Sequence, residues 1–485
     1  MLFNSIEFAL FLPIVFALYW FVFGKNLKLQ NLFVVVASYV FYGWWDWRFL
    51  FLIAFTSFCS WGSGLLIEKS RADGSERGEK RAKHISAANI VLNLLILGIF
   101  KYYDFFVQSF ADLFFDGKCD SLLLKIILPV GISFYTFQAL SYSIDVYKRK
   151  LEPTKDIIQF FAFVSFFPQL VAGPIERATN LLPQFAKPRT FDYDEAVDGM
   201  RQILWGLFKK IVVADNCAIY VDQVFGNYAN ESGSTLLLAA IMFTFQIYGD
   251  FSGYSDIAIG TSKLFGIRLM RNFNVPYFSR DIAEFWRRWH ISLTTWFRDY
   301  VYIPLGGSRC SKAKIVRNTF VIFLLSGFWH GANWTFLAWG AYHALLFLPL
   351  ILLGKNRKHK NIVAEGHLLP NLKELGQMLL TFILVVIGWI IFRAETIGQA
   401  WNYFSRMFSR SLMSVPCLIN RDYYLPVFLC LLLMLVVEWF QRTKSHALDL
   451  QGRQFRIVRP ILYILLVSLL FCLGGKAESF IYFQF

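Results

Sequence analysis

The stretch SGFWHGANWTF, Ser326 to Phe336, lies between two apolar runs at 315–330 and 333–353. Each run approaches the ~20 residues that cross the hydrocarbon of a bilayer. The stretch therefore reads as a turn between two membrane spans. It sets an imidazole, His330, at that depth, with Trp329 and Trp334 on either side and Gly331 and Asn333 close by. Ionisable groups inside a membrane bundle are costly to hold and by default mark function. Gly327 and Gly331 let backbone approach closely near the bend.

Outward from this turn the chain keeps the same character. It is 56% hydrophobic and only 17% charged, where a soluble domain carries about a quarter. Further apolar runs fall near 6–23, 29–45, 48–67, 85–102, 121–147, 203–224, 234–250, 376–392, 425–440 and 457–474. The expected fold is an all-α polytopic membrane protein with about ten to twelve spans. Two amphipathic, aromatic segments, 155–173 and 279–306, read as re-entrant or interfacial helices. We expect one integral-membrane domain over 1–485, with a motif-bearing core at about 120–350 and further spans at 376–474. The N-terminal run lacks a basic leader and a small-residue cleavage site, so it reads as a retained first span.

Lys and Arg total 48 against 33 Asp and Glu, a net charge of +15. The excess sits in short loops: 68–84, 147–150, 355–360 and 441–444, together with Lys25 and Lys28. These follow odd-numbered runs, which puts them in the cytoplasm and the N-terminus outside. Lipid headgroups, not nucleic acid, are the expected counter-charge. The turn at His330 then lies towards the outer side. The seven cysteines are scattered singly, with no metal-ligand spacing, and read as small buried hydrophobes.

Of seven histidines, His84, His359, His367 and His446 lie in polar loops and read as surface groups, which leaves His290, His330 and His343. His290 sits in SRDIAEFWRRWHISLTTWFRDYVYIPLGG (279–307). On one continuous helix Trp286, His290, Leu293 and Phe297 would share a stripe. Arg287 and Arg288 would point elsewhere, onto lipid phosphate or onto the phosphates of a soluble donor, which guanidinium forks suit. His330 reads either as a structural histidine or as a general base, since an imidazole can accept a hydroxyl proton at neutral pH and return it. Asn333 lies one turn on if the helix continues, where it could orient substrate or stabilise an oxyanion. His343 falls on the opposite face of such a helix and reads as packing. Asp250 and Asp256, beside Gly249 and Gly253, read as pairing with Arg268 or Arg271 or, less simply, as a proton path. QLVAGPIER (169–177) reads as a structural turn broken at Gly173-Pro174. No phosphate loop, serine elbow or zinc spacing is present.

DFSGYSDIAIG (250–260), NFNVPYFSRDIAEFWRRWHISLTTWFRDYVYIPLGG and GFWHGANWTFLAWGAYH together closely resemble the membrane-bound O-acyltransferase (MBOAT) family, in its alginate O-acetyltransferase-like branch. MLFNSIEFALFLPI, LPVGISFYTFQALSYSIDVYK and FFPQLVAGPIER resemble the same branch. The resemblance runs in order through about the first 350 residues. It implies helices around a central tunnel and a signature of two histidines, His290 towards the cytoplasm and His330 as the catalytic one. It also implies acetyl-CoA as the donor substrate, with no bound cofactor and no metal. The acceptor would be an extracytoplasmic polysaccharide such as alginate, and a periplasmic or membrane-anchored acetyltransferase partner would finish the transfer. The setting would be a bacterial inner membrane. His330 would deprotonate an acceptor hydroxyl, with Asn333 or a backbone N–H on the oxyanion. Arg287 and Arg288 are the candidate donor-binding residues. Peptidoglycan O-acetylation and teichoic-acid D-alanyl transfer are alternatives within the fold. A transporter or channel with a buried proton path is the alternative from another class, although no internal repeat of the transporter kind is seen.

Overall fold

In the computed structural model, residues 1–115, 122–418, 421–450, 452, 455–475 and 480–481 are described. Cys119 and the start of the 121–147 run lie outside them. Among the described residues the regular structure is helical. Among the described residues six helices are long and apolar enough to cross a membrane: Trp47–Arg71, Glu76–Lys101, Gly233–Leu264, Trp334–Leu352, Leu372–Arg393 and Asp422–Phe440. Shorter apolar helices occupy Ile6–Val22, Leu27–Gly43 and Val458–Leu473. The chain divides into two units, Met1–Gly199 with Ala258–Met270, and Met200–Ile257 with Arg271–Phe485.

In the first unit, polar side chains tie apolar helices together, as they do where helix packing gains little from the hydrophobic effect. Asn93 Nδ2 donates to Ser60 Oγ at 3.4 Å, and Ser63 Oγ lies 3.3 Å from Ser143 Oγ. These contacts join Leu50–Arg71 to Glu76–Lys101 and Ile132–Tyr147. At one end of these helices Glu79 accepts from Arg71 at 2.6 Å and from Arg149 at 3.1 Å. Two of the basic loops therefore meet at one carboxylate. The turn after Gly173 is held by Glu176, which is buried and accepts from Asn180 Nδ2 at 2.7 Å and from Met270 N.

In the second unit the 203–224 run does not make a plain helix. It passes through a π-helical turn, Phe208–Ala214, which places extra residues in one turn. Consecutive Lys209 and Lys210 consequently both face the Gly233–Leu264 helix. Lys209 Nζ lies 2.6 Å from Asp256, and Lys210 Nζ lies 2.8 Å from Asp250 and 2.7 Å from Asp215. The expected pairing of these aspartates with Arg268 or Arg271 is corrected accordingly. The lysines reach them because the backbones meet: a Cβ at Gly206 would stand 2.6 Å from the Gly253 carbonyl oxygen.

The 279–306 segment is also not one helix. Ile282–Arg288 and Ile291–Phe297 are separate, broken at Trp289-His290, and His290 has a left-handed backbone, φ 42°. The strand-like stretch Asn272–Asn274 runs beside the break: Ile291 N donates to Asn272 O at 2.8 Å, and Asn274 N to Arg288 O at 2.9 Å. A local stripe pattern carries no information about this distant backbone partner.

Candidate active site

The Lys312–His330 helix ends at His330, and the next begins at Trp334. Asn333 caps that second helix. Its Oδ1 accepts from Thr335 N at 3.0 Å, and its Nδ2 donates to Glu395 O at 2.9 Å. The helix does not continue through the WHGAN turn, so the expected one-turn spacing of His330 and Asn333 does not arise. The two helices instead fold back on each other. Glycine is needed at the crossing, because a Cβ at Gly327 would strike the Phe336 carbonyl and one at Gly340 the Phe323 carbonyl.

This reversal changes the place of His343. On a single helix it would face away from His330. On the returning helix Trp339 stands between them, its ring 5.2 Å from His330 and 5.0 Å from His343. His330 is buried against Trp329, Trp339 and Phe392, each about 5.2 Å away. Trp329 reaches to the other signature histidine, with its ring 5.8 Å from His290. The two histidines thus share one indole as a neighbour.

His290 is held by its neighbours. Its Nδ1 lies 3.1 Å from Asn272 Oδ1, which also accepts from Ser292 N at 3.3 Å and Ser292 Oγ at 2.9 Å. Asn272 Nδ2 donates to Ser255 at 3.0 Å. An N–H can only meet the oxygen of the amide, so the Ser292 backbone fixes the Asn272 orientation, and this network assigns the His290 proton to Nδ1. Nε2 is left with a lone pair and no hydrogen-bond partner among the described residues. The ring is buried, edge-on to Phe251 at 4.6 Å.

A cavity of about 280 Å³ opens in the same unit. Exposed Arg287, Arg298 and Arg357 contribute to its wall, and Trp286, Phe323 and Ser326 line its apolar part. Ser326 is four residues before His330 in the same helix, so about one turn, roughly 6 Å, separates them along the axis. His330 itself is not in the lining. Arg287 also donates to Asn356 O at 2.5 Å and His359 O at 2.6 Å, which fastens the 355–360 loop at the mouth. Arg288 is turned away: buried, it pairs with Glu284 at 2.8 Å, and Glu284 pairs in turn with Arg280 at 3.0 Å. Of the two arginines read as donor-binding, the structure brings Arg287 to the cavity and Arg288 to a buried ion pair.

Sequence reasoning missed Asn272, Trp339 and Phe392 as surroundings of the histidines. Asn272 stood within a recognised motif, but nothing in its spacing ties it to His290. Arg357 was visible only as a charge of the 355–360 loop, and Arg298 only as one residue of the amphipathic 279–306 segment.

Apolar helices of spanning length, packed around buried imidazoles, are those of a multi-pass membrane protein. Comparison with known proteins gives the family. Residues 153–389 match the MBOAT, membrane-bound O-acyltransferase, family model. The chain is 42% identical to a probable alginate O-acetylase of Pseudomonas aeruginosa over 84% of its own length and 75% of that protein. It is 31% identical to a peptidoglycan O-acetyltransferase of Helicobacter pylori over 100% of its length and 98% of that protein. It is 29% identical to a teichoic acid D-alanyltransferase of Bacillus subtilis over 55% of its length and 69% of that protein. The chain belongs to the membrane-bound O-acyltransferase family and is an O-acyltransferase; the transporter reading is set aside.

Proposed function

We propose that this enzyme takes an acetyl group from cytosolic acetyl-CoA and delivers it through the membrane for O-acetylation of an extracytoplasmic polysaccharide, alginate or a similar exopolysaccharide. The observation that carries the reading is the join between the arginine-walled cavity and the His330 helix at Ser326. Arginine forks suit the phosphates of a coenzyme. The cavity wall includes Asn356 and Arg357 of the basic 355–360 loop, which the positive-inside rule puts in the cytoplasm. On that orientation the N-terminus is outside, and ten to twelve spans in an inner membrane surround a passage.

In the proposed reaction an acceptor hydroxyl attacks the thioester carbonyl carbon while its proton passes to His330. The new C–O bond forms, the tetrahedral intermediate collapses, and the C–S bond breaks. The leaving thiolate takes the proton back from the imidazolium, which leaves the ester, free CoA and neutral His330. His290, whose Nε2 keeps its lone pair, stands against Trp329 as the second histidine of the site. Asn333, engaged as a cap, acts by shaping the turn. Only the acyl group crosses, so no phosphate enters hydrocarbon, where its cost would be prohibitive. Because both imidazoles are buried, the aromatic side chains at the end of the cavity must move when the donor enters. A periplasmic or membrane-anchored partner would complete the transfer.

The end-to-end match to the Helicobacter pylori protein favours peptidoglycan as the second reading for the acceptor. The test is to replace His330 with Ala in the source cell and count acetyl esters on exopolysaccharide and on peptidoglycan separately. Loss from one polymer, with the variant present in the membrane at normal level, names the acceptor. Unchanged esters on both would reject the reading.

A further inference from the structure

The His343 imidazole is 1% exposed, and neither ring nitrogen has a hydrogen-bond partner among the described residues. The same holds for Nε1 of Trp286 and Nε1 of Trp339, which are 7% and 0% exposed. The three rings touch: His343 lies 5.0 Å from Trp286 and 5.0 Å from Trp339, and the two indoles are 5.6 Å apart. A buried N–H without an acceptor costs about 1–3 kcal/mol, so orphans are rare and a cluster of them needs a reason. At His343, packing alone gives none, because Phe would fill a similar space without the cost.

Position supplies the reason. Trp286 and Phe323 wall the inner end of the cavity and both pack on His343, the latter at 6.4 Å. Trp339 is shared with His330. On the far side the ring is held by Gly388, where a Cβ would come within 2.8 Å of Nε2. The orphan donors therefore link the cavity to His330, on the path an acyl group would take.

We propose that His343, Trp286 and Trp339 form a polar subsite that hydrogen-bonds the carbonyl oxygen of the incoming acyl thioester and positions it for His330. The proposal rests on the acyl-CoA reading above. Neutral imidazole offers one N–H, and each indole offers one more, so the cluster has up to three donors to offer an acceptor oxygen. The subsite selects for a carbonyl, not for the coenzyme.

The test compares acetyl-CoA with S-ethyl-CoA, which has a methylene in place of the carbonyl. Equilibrium binding is measured on the purified full-length chain in nanodiscs, without acceptor. The wild type should bind acetyl-CoA about tenfold more tightly than S-ethyl-CoA, as one good hydrogen bond gives. In His343→Phe and in Trp339→Phe that preference should shrink towards one, with S-ethyl-CoA affinity unchanged, and His343→Gln, which keeps a donor, should restore part of it. A merely structural role would weaken both ligands together. Equal affinities in the wild type, or a preference that survives in a folded His343→Phe protein, would overturn the subsite while leaving the donor reading intact. Failure of the wild type to bind either ligand would overturn the donor reading and the subsite with it. The wild-type comparison decides even where a variant does not fold.

Discussion

Asn272 Oδ1 lies 3.1 Å from His290 Nδ1, and this one contact settles which nitrogen of the ring carries the proton. The amide is itself fixed by the Ser292 backbone N–H, so the chain of inference ends in a group that cannot turn round. The price of the arrangement is a left-handed backbone at His290, a conformation that bulky residues adopt rarely and keep where their surroundings impose it.

Removing the Asn272 side chain frees the imidazole to change tautomer and orientation. In Asn272→Ala the rate of acetyl transfer should fall about 10- to 100-fold, the loss typical when a partner that orients a histidine is removed. Donor affinity should hardly change. Single-turnover transfer measured beside donor binding checks this; equal losses in both would point to general disruption.

On the proposed reading the exposed arginines of the cavity act on the donor, not on the chemistry. Arg298→Gln with Arg357→Gln should raise the KM for acetyl-CoA by about tenfold or more with kcat nearly constant. The wild-type KM should rise with salt as well, because exposed charge contacts are screened. An unchanged KM would separate these residues from the donor.

The WHGAN reversal depends on two backbones in contact. In Gly327→Val and Gly340→Val the added side chain meets a carbonyl of the other helix, Phe336 or Phe323. Overpacking of this kind costs about 1–3 kcal/mol. Thermal melting in detergent should drop by several degrees for each variant. A wild-type melting temperature in either would mean that the helices are not in contact there.

Glu176, in the turn after Gly173 and outside the apolar spans, gives a pH dependence. Burial pushes its carboxyl up from 4.5 to about 7, so between those values the folded chain keeps a proton that the unfolded chain has released. Stability should therefore fall as pH rises through that window and level off above it. In Glu176→Gln this component should be absent, so the variant should gain on the wild type as pH rises from 4.5 to 7. Melting curves of both proteins across the window measure the difference, and parallel curves would rule out a buried, protonated Glu176.

The sequence was informative wherever local pattern governs. Apolar length marked the Trp334–Leu352, Leu372–Arg393 and Asp422–Phe440 helices, because crossing hydrocarbon demands a continuous run. The small residues at Gly249 and Gly253 marked a close approach of backbones, and Gly249 and Gly253 do stand against the Lys209 and Gly206 carbonyls. The break at His290 was not legible: the residues there suit a helix, and the competing backbone partner is Asn272, 18 residues earlier. The turn at WHGAN was legible, but the angular placing of His343 assumed one continuous helix through Gly331-Ala332-Asn333, and the reversal there removes that assumption. Lys209 and Lys210 were hidden by the π-helical turn, which shifts the helical period that such reasoning assumes.

The central claim is that an acyl group entering beside Arg287, Arg298 and Arg357 reaches His330 and leaves on the other face. Inside-out membrane vesicles offered acetyl-labelled acetyl-CoA outside test it most directly. With the wild-type chain the label should accumulate on polymer hydroxyls within the lumen. With His330→Ala the donor should bind with unchanged affinity, and lumenal label should fall by about 10²- to 10⁴-fold, the usual contribution of a general base. Lumenal label at the wild-type rate in the His330→Ala vesicles would contradict the account.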